Sequence, residues 1–392
     1  MKFDKIPVGI MSAAMLLNVA LFVDVLIRLY QFRWQWMDFR GQWAICAYTL
    51  RGVDPYPITG VEPPIFSDIG VIQKDWGTSP YGCLLGNVFY GGFLPLEDAK
   101  MFFFIASMSA LLLTAFFLYR HFRTTQFGLI ATGFALFSYT AYGSIYAGNA
   151  GGLICCLLLI CCLICDTSPI AAGVLLAFAM IKPQTALPIC FALLIMKKFK
   201  PLIVAASIDL LGWLFVSIMV DRSMLGLLDE FWHADIGGGS QFSGLFTLLF
   251  LDSPKTAMLS SMIFGFAFIF LLMKRLRGVS TFERFFPACM ASAFFGYSYG
   301  NEYFLLTLPI IVIARLVLTA EARREKCFLL TALLFVSMMP IAFTYSFFFV
   351  IERGMNAVMM LWLTHTFFGV GLIFISIAML RADFRIDRSS ML

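Results

Sequence analysis

Charge is scarce in this chain: 13% of its 392 residues are Asp, Glu, Lys or Arg, where a soluble globular domain carries about a quarter. With 61% hydrophobic residues and a mean hydropathy of +0.89, that shortage excludes a cytosolic enzyme and a nucleic-acid reader. No internal repeat or low-complexity segment divides the chain, so residues 1–392 read as one domain. No Asp-x-Asp pair occurs, which argues against metal dependence, and neither a metal nor a cofactor is expected. No histidine or carboxylate accompanies Cys155, Cys156, Cys161, Cys162 and Cys165 in their apolar run, so these read as soft packing residues. Cys46 and Cys83 fall in outward-facing segments, where a pairing between them stays open. The first apolar run is followed by Arg33 and Trp34 in place of small cleavage-site residues, so it reads as an uncleaved helix.

What is present comes in apolar blocks long enough to cross an apolar layer of about 30 Å. Crossings are expected near residues 6–30, 99–120, 127–147, 149–165, 169–181, 183–196, 201–220, 254–273, 285–300, 303–318, 327–350 and 357–380. The fold class is therefore an all-α polytopic membrane protein of about twelve transmembrane helices. Seventeen basic residues fall in the gaps on one side, among them Arg120, Lys197, Lys198, Lys200, Lys274 and Arg284; six fall on the other. The richer side is cytoplasmic by the positive-inside rule, with both termini inside. Residues 81–96 carry Gly82, Gly86, Gly91, Gly92 and Pro95, and a crossing there would put Arg120 and Arg123 outside. This stretch is expected to be an interfacial or re-entrant piece on the outer face.

Two long outer loops follow, about residues 31–98 and 221–253, and all polar machinery large enough for chemistry lies on that side. In the first, Trp34 and Trp36 belong to an interfacial belt that places Asp38 at the membrane surface. Phe39, Trp43, Cys46, Ala47 and Leu50 recur at helical spacing, so residues 39–51 are expected to form an amphipathic interfacial helix. Gly52, Pro55 and Pro57 stop it. Taken alone, Asp38 reads equally as a helix N-cap or a partner of Arg40.

Lys182 sits where two short apolar runs meet, in Ile181-Lys182-Pro183-Gln184. Broken short helices end near buried polar sites, and a charge in an apolar run costs about 2.5 to 3.5 kcal/mol. Lys182 therefore either meets an anionic group or snorkels to the interface. Glu302 and Tyr303 mark a tight outer turn, while Asp209 and Arg315 read as structural or interfacial. The second loop holds His233 among Asp229, Glu230 and Asp235, without metal-site spacing, and then a glycine run, Gly237 to Gly239.

The order of these motifs resembles glycosyltransferase family 87, the polyprenyl-phosphate-mannose-dependent mannosyltransferases. The first-loop signature is carried by Asp38-Phe39 with Ala44, Ala47, Leu50, Gly52, Pro55 and Tyr56. Further matches are Ser79-Pro80-Tyr81, Gly148-Asn149, Gly173 with Lys182-Pro183-Gln184, Ser240-Gln241-Phe242-Ser243-Gly244, and Glu302-Tyr303 before Pro309. Where the family often has an aromatic and histidine pair before the late proline, this chain has Asn301-Glu302-Tyr303. The resemblance implies a C-type glycosyltransferase fold and an inverting transfer of one sugar, with mannose expected, from a polyprenyl phosphate to a glycolipid or glycan on the extracytoplasmic face. It further implies Asp38 as general base. Expected partners are the lipid-linked donor, the acceptor and membrane lipids, with no nucleic acid; the location is the cytoplasmic membrane of a bacterial cell.

The chemistry suits such a residue set. A phosphate leaving group is already an anion, so one displacement needs one base for the acceptor hydroxyl and cationic or hydrogen-bonding groups for the phosphate. Lys182, Arg40 and Gln184 are candidates for donor phosphate or sugar; Tyr81, Asn149, Ser240, Gln241, Glu302 and Tyr303 are candidates for pocket walls. Two other classes compete: a transporter or flippase of a lipid-linked substrate, prompted by the broken helices, and a glycan polymerase or ligase, which favours paired outer arginines.

Overall fold

The computed structural model describes residues 37–54, 68, 85–122, 148–233, 254–276, 279–294 and 301–319, with single positions between 9 and 27, 132 and 145, and 330 and 333. All regular structure among the described residues is helical. In chain order it comprises α1 (Met37–Leu50), α2 (Asn87–Tyr90), α3 (Leu96–Phe122), α4 (Gly151–Ile164), α5 (Pro169–Ala179), α6 (Pro183–Ile195) and α7 (Phe199–Met219). Then come α8 (Met224–His233), α9 (Pro254–Arg275), α10 (Thr281–Arg284), α11 (Phe286–Phe294), a 3-10 helix (Asn301–Leu306) and α12 (Thr307–Thr319). Within 9–27, the described positions Gly9, Ser12, Ala13, Leu16, Val19, Ala20, Val23 and Ile27 are helical, in the expected first run. The expected crossings at 127–147, 327–350 and 357–380 lie largely or wholly outside the described residues.

Among the described residues two helices, α3 with 27 residues and α7 with 21, are long and apolar enough to cross a membrane; at 1.5 Å per residue they measure about 40 and 31 Å. Membrane association is indicated at that level. The apolar part of α9 is shorter, Leu259–Lys274, and so are the apolar helices α5 and α6, for a local reason. Pro183 has no N–H to continue a helix, and the residue before a proline is pushed out of the α region. Lys182 accordingly adopts φ −114° and ψ 81°, and α6 restarts with Pro183 in its first turn.

The core is centred on α4, where Gly151 to Cys162 are all buried. A helix that is apolar all round belongs inside, and α4 is flanked by α3, α5 and the 3-10 helix. Cys156, Cys161 and Cys162 on this helix, with Cys190 and Cys289, are free thiols, while Cys83 lies outside the described residues. Gly173 lets α5 approach α7 closely: a Cβ there would lie 2.6 Å from the Val204 Cβ and 2.7 Å from the Pro201 carbonyl oxygen.

Helix ends gather in two places. At a basic end, the Asp166 carboxylate lies 2.5 Å from the Lys198 ammonium, and the His121 ring sits 5.0 Å from Phe282. There Ser280 and Glu283 close a reciprocal capping box on α10. At the opposite end lie residues 51–54, 85–95, 148–150, 180–184 and 219–223. Both α3 and α4 thus run toward the basic end, and α4, α5, α6 and α7 alternate between the two ends, as expected for residues 149–220.

One expectation is corrected. The helix over 39–51 does not lie along a surface. Phe39, Trp43, Ala44, Ile45, Cys46, Ala47, Tyr48 and Thr49 are all at most 4% exposed, so every side of the helix is covered. The 85–95 segment, α3 and the end of α7 pack around it. Gly92 of the 85–95 segment comes against the backbone at Cys46 and Ala47. Within residues 81–96, the described part is a four-residue helix and a turn, too short to cross anything.

Candidate functional site

The site is built from the turn that precedes α4. Gly148 has φ +69°, a left-handed conformation that glycine takes without a Cβ penalty. That turn is closed by the Asn149 amide donating to the Ser144 carbonyl at 2.8 Å. The Asn149 Oδ1, with two lone pairs, accepts the Gly151 N–H at 2.8 Å and the Lys182 ammonium at 2.8 Å. Two candidates separated by 33 residues are therefore in direct contact. Lys182 is half-buried and is the N-cap residue of α6; its carbonyl accepts the Thr185 and Ala186 amides at 3.0 and 3.2 Å. Gln184, half-buried, lies in the first turn of the same helix.

Tyr90 connects this turn to α1. Its hydroxyl accepts the Ala150 N–H at 3.2 Å. Its ring stacks on Phe103 with centroids 5.5 Å apart and meets Phe39 at 5.7 Å; Phe39 also packs edge-on against Phe103 at 5.4 Å. Phe39 is the residue after Asp38. A continuous chain of contacts thus runs from Phe39 through Tyr90, Ala150 and Asn149 to Lys182, all at the end opposite the basic one.

Asp38 itself lies in α1, one residue after Met37, where the described part of that helix begins. Its side chain lies outside the described residues, as do those of Glu302 and Tyr303, whose backbone forms the start of the 3-10 helix against α4 and α11. Arg40 is exposed, and no hydrogen bond or ion pair joins it to another candidate among the described residues. Tyr81, Ser240 and Gln241 lie outside the described residues.

Sequence reading missed several members of this end. Tyr90 passed as one more aromatic in a glycine-rich stretch, although a tyrosine buried there needs a partner for its hydroxyl. Asp54, whose side chain is 10% exposed, pairs with Arg222 at 3.1 Å and ties the turn after α1 to the turn after α7. Gly52 permits that approach, since a Cβ there would lie 3.0 Å from the Met219 carbonyl oxygen and its φ is +72°. Further out, Arg51 grips Asp68 through two hydrogen bonds of 3.0 and 2.6 Å, a bidentate geometry. The hydrogen bond from Arg51 holds the Asp68 carboxyl below the ordinary carboxylate range.

The described residues include no cluster of three or more His, Cys, Asp or Glu side chains able to hold a metal ion. The arrangement offers a cation, Lys182, held against the Asn149 amide oxygen and the turn before α4. Compared with protein-family models, with curated proteins and with solved structures, the chain matches none.

Proposed function

We propose that this protein is an integral membrane glycosyltransferase of the C-type fold with about twelve crossings. It transfers one sugar, with mannose as the expected one, from a polyprenyl phosphate to a glycolipid or glycan on the extracytoplasmic face. The observation that carries this reading is the contact chain from Phe39 to Lys182. It draws the neighbourhood of the base candidate and that of the phosphate candidate to one end of the molecule, across more than 140 residues of sequence.

In the reaction, the Asp38 carboxylate takes the proton of the acceptor hydroxyl as its oxygen attacks the anomeric carbon. The bond from that carbon to the phosphate oxygen breaks, and the electron pair leaves with the polyprenyl phosphate. Configuration inverts in this single displacement. Lys182, steadied by Asn149, stabilises the phosphate charge as it grows. Because the leaving group is an anion, no second carboxylate is needed to protonate it.

The test is transfer from labelled polyprenyl-phosphate sugars to a membrane lipid extract by the purified protein in liposomes, with the product identified by mass spectrometry. Asp38→Asn is expected to fold and insert normally and to lose about 10²- to 10⁴-fold in rate. Wild-type transfer by that variant would remove Asp38 as the base. No transfer by the wild-type protein from any lipid-phosphate sugar would favour translocation of a lipid-linked substrate, a reading the helix break at 180–182 also suits.

A further inference from the structure

A second site lies at the basic end of α7. The loop before this helix carries Lys197 and Lys198, and its first turn carries Lys200. Their situations differ. Lys198 is held by Asp166 at 2.5 Å. The side chains of Lys197 and Lys200 are exposed and make no hydrogen bond or ion pair among the described residues.

Local stability does not account for either lysine. Lys197 follows the end of α6 with φ +59°, a position where glycine is preferred because a Cβ is strained in the left-handed region. Lys200 sits at the positive end of the α7 dipole, where a cation is disfavoured. Two cations thus occupy places that helix energetics select against.

The surface that continues from them is apolar. Lys200 and Ile203 are three residues apart and share a face, and the face runs on through Leu210, Leu211, Leu214 and Ile218, which are 46% to 70% exposed. Only 17% of the apolar window of α7 is buried. A stripe of this length matches an acyl chain lying along the helix, and it ends at two uncommitted ammonium groups at the level of a headgroup.

We propose that this end of α7 binds an anionic phospholipid, with Lys197 and Lys200 on the headgroup phosphate and the exposed stripe against its acyl chains. Net charge separates such a lipid from a zwitterionic one, since juxtamembrane lysines favour anionic headgroups. The inference rests on the membrane-spanning reading of α7 and not on glycosyl transfer. It is measured as lipid binding, so its failure and that of the transfer reading are distinguishable.

The experiment is native mass spectrometry of the full chain in detergent, titrated with phosphatidylglycerol, with phosphatidylcholine or with inorganic phosphate, alongside thermal unfolding. Wild type is expected to retain phosphatidylglycerol over phosphatidylcholine, and inorganic phosphate alone to give no shift in unfolding temperature. The double variant Lys197→Gln with Lys200→Gln is expected to bind phosphatidylglycerol about tenfold or more weakly. Lys274→Gln is the control, because that ammonium at the same end already lies 4.2 Å over the Phe270 ring; its binding is expected to stay within twofold of wild type. Lys197→Gly separates binding from folding: unfolding temperature without lipid should hold or rise, while lipid binding falls. Equal binding of the two lipids, an unchanged double variant, a loss in Lys274→Gln matching the double variant, or the same stabilisation by free phosphate would each overturn the proposal.

Discussion

The two ends of the helix bundle are held together by different physics. At the basic end the ion pair of Asp166 with Lys198 reaches water, the side chains being 43% and 35% exposed, beside the capping box of Ser280 and the buried Glu283. At the opposite end the ion pairs of Arg51 with Asp68 and Arg222 with Asp54 flank a set of aromatic and amide contacts largely withdrawn from solvent. Phe39, Tyr90 and Phe103 pack together, the Trp43 indole donates to the Leu94 carbonyl at 3.1 Å, and Asn149 receives Lys182. Exposed ion pairs contribute little because water and salt screen them. Buried aromatic packing and satisfied amides set geometry more firmly. The opposite end therefore holds more of its side chains by packing.

The largest effect expected from breaking this contrast is at Lys182. Lys182→Met keeps the length of the side chain and removes its charge; transfer should fall about 10²- to 10³-fold, read as initial rate in the liposome assay, with unfolding temperature little changed. An equal loss of fold would mean that the ammonium is structural. Next is Gly92→Ala. The added Cβ would sit 2.4 Å from the Asn87 Oδ1 and 2.7 Å from the Ala47 amide nitrogen, so α1 must shift. A destabilisation of about 2 kcal/mol is expected, measured by denaturant or thermal unfolding in detergent.

Smaller still is Tyr90→Phe, which removes the acceptor of the Ala150 N–H while keeping the ring. About 1 kcal/mol or somewhat more should be lost. If the turn before α4 holds Lys182, transfer should fall by more than that stability change explains.

The smallest effect belongs to the basic end, in Asp166→Asn. Burial pushes the Asp166 carboxyl up, but hydrogen bonds from Lys198 and Thr281 and the charges of Lys198 and Arg284 outweigh it and hold it below its usual value. A carboxyl lowered in the folded state stabilises above its unfolded pKa of about 3.9 and ceases to as pH falls through the folded value. The wild-type advantage over Asp166→Asn should therefore be at most about 1 kcal/mol near neutral pH and vanish in strong acid. A larger difference, or one that persists there, would make the two ends more alike than their contacts indicate.

Much of the fold was legible in composition. The apolar blocks and the break at Lys182-Pro183 follow from local rules, because a proline ends a helix whatever surrounds it. The site was legible as a set of residues and not as a constellation. Lys182 stood out as a charge between apolar runs and Asn149 through the family resemblance, yet nothing at either position states that one accepts a hydrogen bond from the other. Tyr90 carried no signal beyond its neighbours' glycines. The helix over 39–51 misled because spacing reports only which residues are apolar, whereas burial of Ala44, Ile45 and Tyr48 depends on what packs over them.

By itself, then, the sequence determined the helical, apolar character of the described chain, the alternation of helix ends across residues 149–220 and the place where α5 yields to α6. Each of these is governed by hydropathy, charge or a covalent constraint acting within a few residues. The burial of α1, the chain of contacts from Phe39 to Lys182, and the pinning of Lys198 while Lys197 and Lys200 stay exposed were decided only by tertiary structure. Those are contacts between distant segments, and a pair potential of a few ångströms cannot be read from residues that lie dozens of positions apart.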